Sequence, residues 1–250
     1  MRVWVWVKGS RARPASVLLA LLAPPLLLAL ACAGSGGGTP IASGLKAKDE
    51  FTYSSKRNLL TNHMARNQDG SINVVIEIPS GTSEKWEVSA DGQAIVRDFT
   101  GDEPRIIDYL PYPGNYGFIP RTLLDESRGG DGGALDCLVL GPAVPRGEVV
   151  RARPIGVIRV VDRMVQDDKV LAIIEGPVLK GVYDIEALNE RYPGASEIVS
   201  TWFSNAHGKR SKVNMMGTGS RGQANSVIDF ATESFKQARR RERAAASEED

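Results

Sequence analysis

Ile72-Asn73-Val74-Val75-Ile76-Glu77-Ile78 is a run of mostly β-branched residues that stops at Pro79-Ser80-Gly81. A short run of this kind, closed by turn formers, reads as a strand. The pattern recurs along the chain. Lys85 to Val88 alternates, and Asp91-Gly92 is a hairpin-type turn before Ala94-Ile95-Val96. Leu135 to Leu140 is another short strand, closed by Gly141-Pro142, and Val170 to Glu175 is one more. Val149 to Val161 alternates over a longer stretch broken by Pro154 and Gly156, which predicts a bent strand. Helical spacing comes late. Ile198, Val199, Trp202 and Phe203 fall on one face of Ala195 to His207, and Val227, Ile228, Phe230, Ala231 and Phe235 on one face of Gln223 to Arg239. Short strands followed by helices predict an α+β, mainly β fold: a small β-barrel with C-terminal helices packed against it.

The ends do not belong to that argument. Lys8, Arg11 and Arg13 form a basic segment ahead of the apolar run Val17 to Leu30, which is too short for a typical membrane span and reads as a signal peptide over residues 1–32. Ala29-Leu30-Ala31-Cys32 resembles a bacterial lipobox, so Cys32 is the expected lipidation site and the chain is expected to be exported, membrane-anchored or periplasmic. An uncleaved anchor or an ordinary secretory signal is the alternative. Residues 33–50 include a Gly/Ser/Thr-rich stretch and are assigned as a flexible tether. The folded domain is placed at 51–240 and a charged tail at 241–250. Cys137, the other cysteine, lies in an apolar run and reads as core.

Charge excludes one class of partner. Lys and Arg number 31 against 30 Asp and Glu, a formal net charge of +1, and no aromatic-basic strand face is evident, so nucleic-acid binding is not expected. The acids are instead distributed suggestively. Glu77, Asp131, Asp136, Asp162 and Asp167 stand at element edges. Asp131 and Asp136 lie in the Gly-rich turn GGDGGALDCLVLG, and Asp162 and Asp167 flank the turn in VVDRMVQDDKV. Aspartate in such turns is most often turn chemistry alone. Carboxylates gathered without His or Cys otherwise suit a hard cation, Mg²⁺ with Mn²⁺ also fitting. Lys85, Lys169 and Tyr116 supply groups that bind phosphate oxygens, so the set suits a phosphoanhydride.

Several separated motifs, in order, carry a resemblance. Val74-Val75-Ile76-Glu77-Ile78-Pro79 followed by Lys85-Trp86-Glu87, then Tyr112-Pro113-Gly114-Asn115-Tyr116-Gly117-Phe118-Ile119-Pro120, then Asp131 to Asp136, Arg153-Pro154-Ile155-Gly156 and Asp162 with Asp167-Asp168-Lys169, resemble the family I (soluble) inorganic pyrophosphatases. The resemblance runs from about Phe51 to Lys236. It implies a five-stranded OB-like barrel and Mg²⁺-dependent hydrolysis of pyrophosphate. It further implies metal ligation by Asp131, Asp136 and Asp167, with Asp162 and Glu77 serving further metals, Glu87 supporting the metal and water network, and phosphate contacts from Lys85, Tyr116 and Lys169. Family relatives form hexamers or dimers, so a homo-oligomer is expected.

Four departures stand out. In the family's D-x-D-P-x-D signature, the middle aspartate, proposed as general base, is Gly133 here, and the proline is Ala134. The family's phosphate-binding arginine falls at Asp98. Arg97 is adjacent, but one residue along a strand points to the opposite face unless a bulge intervenes. The Tyr-Lys pair of the late helix falls at Ala206-His207, with Lys209, Arg210 and Lys212 as nearby substitutes. The expected function is therefore metal-dependent hydrolysis of pyrophosphate, slowed by loss of the base. The alternative is a catalytically weak protein that binds pyrophosphate or metal at the membrane surface.

Overall fold

The computed structural model describes residues 39–162, 165–208 and 213–248. The readings made on the signal segment, Cys32, Lys209, Arg210 and Lys212 lie outside these residues. Five strands close into a ring: β3 (Ile72–Ile78), β8 (Asn115–Phe118), β9 (Asp136–Leu140), β12 (Lys169–Ile173) and β10 (Val149–Asp162). The long strand β10 closes it. Its first part, Val149 to Ala152, pairs with β3, and Arg153 to Ile158 pairs with β12. The register shifts between Pro154 and Gly156, where the sequence breaks the alternation. The barrel and its bent strand are thus as expected. The remaining elements of the sheet are β11 (Val165–Gln166) and β13 (Val213–Ser220), both paired with β10.

A second sheet has the order β1 (Leu45–Asp49), β2 (Thr52–Ser55), β5 (Ala94–Arg97), β4 (Trp86–Val88). It is followed by a short hairpin, β6 (Phe99–Thr100) and β7 (Glu103–Pro104). The helices are α1 (Ile185–Arg191), α2 (Ala195–Asn205) and α3 (Arg221–Glu248).

Period-two alternation divides the ring strands between two cores. Cys137 and Val139 of β9, Val170 and Ala172 of β12, and Val74 and Ile76 of β3 join Ile228 and Ala231 of α3. Leu138, Leu171, Ile173 and Tyr116 face the other way and join Val199, Trp202 and Phe203 of α2. Asp136 and Lys169 sit two residues before Leu138 and Leu171, so the same alternation puts them on the Tyr116 face. Cys137 is buried with a free thiol, in keeping with a core role.

Gly117 lets β8 enter this ring. A Cβ there would lie 1.9 Å from the Val75 carbonyl oxygen. Opposite it, the β3–β8 register shifts between Ile76 and Ile78, making Glu77 the extra residue of a bulge. Asn115 is fully buried and satisfied: its amide donates to the Pro142 carbonyl at 2.9 Å, and its oxygen accepts from the Ser80 and Val144 amides.

Two boundaries and two side-chain placements need correction. Leu45 is buried, β1 pairs with β2, and the Ala42 amide donates to the Arg146 carbonyl, so the body begins ahead of Phe51 and the tether ends well before residue 50. A strand with one buried apolar residue leaves little periodic signal. The stretch taken as a charged tail is helical through Glu248, carried by Ala and Arg helix formers and an Arg239–Glu242 pair. Ile198 and Phe230, read as core-facing, are exposed on their helices.

Candidate active site

One cleft of about 200 Å³ is lined by Asp131, Asp136, Asp167, Lys85, Glu87, Lys169 and Tyr116, together with Arg105, Tyr112 and His207. Most of these side chains arrive from ring strands or connecting loops, and Glu87 comes from β4 of the second sheet. Asp136 opens β9 and Lys169 opens β12, and these strands pair in parallel with Val170 against Cys137, so the two charged residues start side by side. Lys169 Nζ contacts Asp136 Oδ2 at 2.5 Å and also pairs with Asp167. Tyr116 Oη donates to the same Asp136 oxygen. Asp167 is aimed by its own amide, which donates to the Val160 carbonyl. Its neighbour Asp168 turns aside to Arg159 and Gln166.

Burial alone raises the carboxylate pKa values here, and the neighbours decide the outcome. Asp136 is half-buried, which raises its pKa, yet Lys169, Lys85 and the Tyr116 hydroxyl outweigh that penalty and hold it below the usual carboxylate value. Burial pushes Asp167 up to about 6 against the pull of Lys169, with Asp136 and Asp131 adding repulsion. Glu77 lies deeper. Burial raises it to about 8 against the pull of Lys85, with Asp136 adding repulsion. Its Oε1 accepts from the Val88 amide at 2.6 Å, which ties the bulge to β4. Burial opposes charge on Lys85, but Tyr112, Glu87, Glu77 and Asp136 together keep it firmly protonated. Lys85 Nζ pairs with Glu87 at 3.0 Å and lies 5.4 Å from the Tyr116 ring centre.

Asp162 does not line the cleft. It closes β10 opposite Val165 and Val213 and interacts electrostatically with His207. Gly133 donates its amide to Asp131 Oδ1 at 2.9 Å, so the signature turn is held without a side chain at its middle position.

The β4–β5 register is regular, with Trp86 opposite Arg97, so no bulge turns Arg97 toward the cleft. Arg97 is buried against Trp86, 5.5 Å from its ring centre, and faces Glu84. The arginine that does line the cleft is Arg105, which the sequence reading missed. It follows β7, where no strand or helix periodicity marks it, and only the closing of the β6–β7 hairpin brings it back. Tyr112 was quoted in a motif but given no role. It packs on Trp202 with ring centres 4.4 Å apart, seating α2 over the cleft wall.

The donor set tests the fit to a metal. Every anionic donor in the cleft is a carboxylate oxygen, and a side-chain cation, Lys169, already stands between two of them. Among the described residues no three acidic, His or Cys side chains enclose a metal by themselves. This arrangement fits a hard, largely hydrated cation shared with phosphate oxygens, the usual manner of Mg²⁺, rather than an all-protein cage.

The family model described as inorganic pyrophosphatase matches residues 74–236. An inorganic pyrophosphatase of Gluconobacter oxydans is 42% identical over 123 residues, which make up 48% of this chain and 65% of that protein. One from Nostoc sp. is 29% identical over 175 residues, covering 69% of this chain and 96% of that protein. The crystal structure of the inorganic pyrophosphatase from Thermus thermophilus matches with a TM-score of 0.61 and 27% identity, over 72% of this chain and 99% of the other.

Proposed function

The chain belongs to the inorganic pyrophosphatase family, and from that premise we propose that its cleft binds inorganic pyrophosphate and hydrolyses it to two orthophosphates with a hard divalent cation, Mg²⁺ first and Mn²⁺ second. The observation that carries the reading is the meeting of Asp131, Asp136 and Asp167 with Lys85, Lys169 and Tyr116 in one cleft.

Asp131, Asp136 and Asp167 would hold the cation, with Asp162 at the edge and Glu77 behind the cleft serving further cations. A bound Mg²⁺ supplies charge neutralisation for the phosphates and lowers the pKa of water toward neutrality. The chain's own groups do the rest. Asp136 stays ionised because Lys169, Lys85 and Tyr116 surround it. Lys85 and Lys169 stay protonated and present fixed positive charge to phosphate oxygens, where preorganised donors stabilise the charge that develops on reaction. Tyr116 keeps its proton, since burial and Asp136 raise its pKa, and it remains a donor. Hydrolysis adds one water across the P–O–P bridge, so one proton must leave the attacking water. Gly133 offers no side chain to take it.

The test is orthophosphate release from pyrophosphate by the purified chain, with Mg²⁺ and with chelator. Release that requires the metal supports the proposal, and no release in either condition overturns hydrolysis. A second reading, binding without turnover, is favoured by Gly133 and Ala206. Tight pyrophosphate binding without release would select it.

We also infer from the sequence that residues 1–32 direct export and that Cys32 carries lipid. Among the described residues no helix is long and apolar enough to cross a membrane. Mass spectrometry of the mature N-terminus decides: a diacylglyceryl adduct on Cys32 supports the inference, and an unmodified or uncleaved end contradicts it.

A further inference from the structure

We infer a second anion site, separate from the cleft, built by Arg151, Arg153 and Arg221 and fitted to a phosphate-type group. These arginines line a pocket of about 390 Å³ together with Asp69, Ser71 and Glu175. None of them lines the cleft. β12 begins at Lys169 in the cleft, and its continuation, Ile174 and Glu175, lines the pocket. At the rise of a strand, five residues put Lys169 and Ile174 roughly 17 Å apart. The two sites therefore stand at opposite ends of one strand.

The fold gathers the three arginines. Arg151 and Arg153 are two apart on β10, so alternation gives them one face while Ala152 between them joins the core. Arg221 arrives by a chain reversal. Ser220 ends β13 opposite Gly156 of β10, and α3 starts at the next residue, which returns Arg221 to the neighbourhood of Arg153. A reciprocal cap fixes that start. The Ser220 amide donates to Gln223 Oε1 at 2.8 Å and the Gln223 amide to Ser220 Oγ at 3.3 Å. The Arg153 guanidinium lies 5.1 Å from the Tyr183 ring centre, a contact that steadies it.

The donors outnumber their acceptors. Arg151 pairs with Asp69 and Arg153 with Glu175, both acids being exposed. Arg221 has no hydrogen bond or ion pair among the described residues. Arg153 Nε is buried without an acceptor. Three guanidiniums stand against two carboxylates, so the pocket keeps an excess of positive charge and an unmet buried donor, which an oxyanion would relieve. Guanidinium forks from two elements suit a tetrahedral, multiply charged anion better than a flat carboxylate. The pocket is larger than one phosphate, so it takes a free phosphate or pyrophosphate ion, or the phosphate of a larger molecule.

Calorimetry on the full chain tests the site, with chelator present and ionic strength held constant. Orthophosphate, pyrophosphate and ATP are the probes. The variants are Arg221→Gln and the double charge reversal Arg151→Glu with Arg221→Glu, both positions being exposed, and Lys85→Ala to weaken the cleft. Saturable metal-free binding is expected. It should weaken about tenfold in Arg221→Gln, the worth of one charge-assisted bond, and disappear in the double reversal with Tm unchanged. It should persist in Lys85→Ala. Orthophosphate or pyrophosphate binding as tightly as ATP assigns the site to the free ion, and binding of ATP alone assigns it to a phosphate carried on a larger molecule. No saturable binding of any probe up to about 10 mM overturns the inference. So does binding that survives the double reversal, or that is lost in Lys85→Ala and therefore belongs to the cleft.

Discussion

Tyr116 Oη donates a hydrogen bond to Asp136 Oδ2 at 2.5 Å, across the β8–β9 pair. A bond to the charged form of a carboxylate lowers its pKa, so this phenol helps keep Asp136 ionised. Tyr116→Phe keeps the buried ring and removes the bond. The expected outcome is an Asp136 pKa shifted upward, a pH–rate profile whose acid limb moves to higher pH, and a fall in kcat/KM of about 10²-fold. Thermal unfolding should change little.

Gly133→Asp tests the missing base. A Cβ at Gly133 would meet Asp131 Oδ1 at 3.2 Å, tight but against the movable end of an exposed side chain. The variant should fold. Its kcat for pyrophosphate should rise about 10²-fold or more, the usual contribution of a positioned base, and its optimum should move to lower pH. An unchanged rate would place the limiting step elsewhere.

Gly117→Ala is expected to be severely destabilised. The added methyl would overlap a backbone carbonyl at 1.9 Å, and neither β3 nor β8 can withdraw without opening the ring. Little soluble protein, or a Tm lowered by more than about 10 °C, is the expected outcome for a loss of several kcal/mol.

His207 gives stability a pH slope. Burial, then Arg105, lowers its pKa below 6.5, with Asp162 pulling the other way and Lys85 and Lys169 adding to the lowering. Below 6.5 the unfolded chain therefore binds more protons than the folded one. The contribution is fully present above that pH and is lost as pH falls toward the folded pKa. Comparing the denaturation midpoints of wild type and His207→Gln from pH 8 to pH 5 isolates it: the wild type should lose more stability over the acid half of that range.

Much of this was legible in the residues. β3, β9, β10 and β12 carry β-branched runs and broken alternation, and the order of motifs fixed the family. The acids Asp131, Asp136 and Asp167 with Lys85, Lys169 and Tyr116 were nameable because each sits in such a motif. What stayed hidden depends on pairing across the chain. β1 and β13 bury few side chains, so neither shows a period. β8 is buried along its whole length and shows no alternation. Arg105 reaches the cleft only through the β6–β7 hairpin, and a one-residue register keeps Arg97 out of it.

The most direct test of the account compares wild type with Asp136→Asn in Mg²⁺-dependent release of orthophosphate from pyrophosphate. Asp136 is the carboxylate on which Lys169 and Tyr116 both converge. The account predicts metal-dependent release by the wild type and a loss of about 10³-fold or more in the variant, with the fold retained by thermal unfolding. A folded Asp136→Asn chain that releases orthophosphate at the wild-type rate would contradict it.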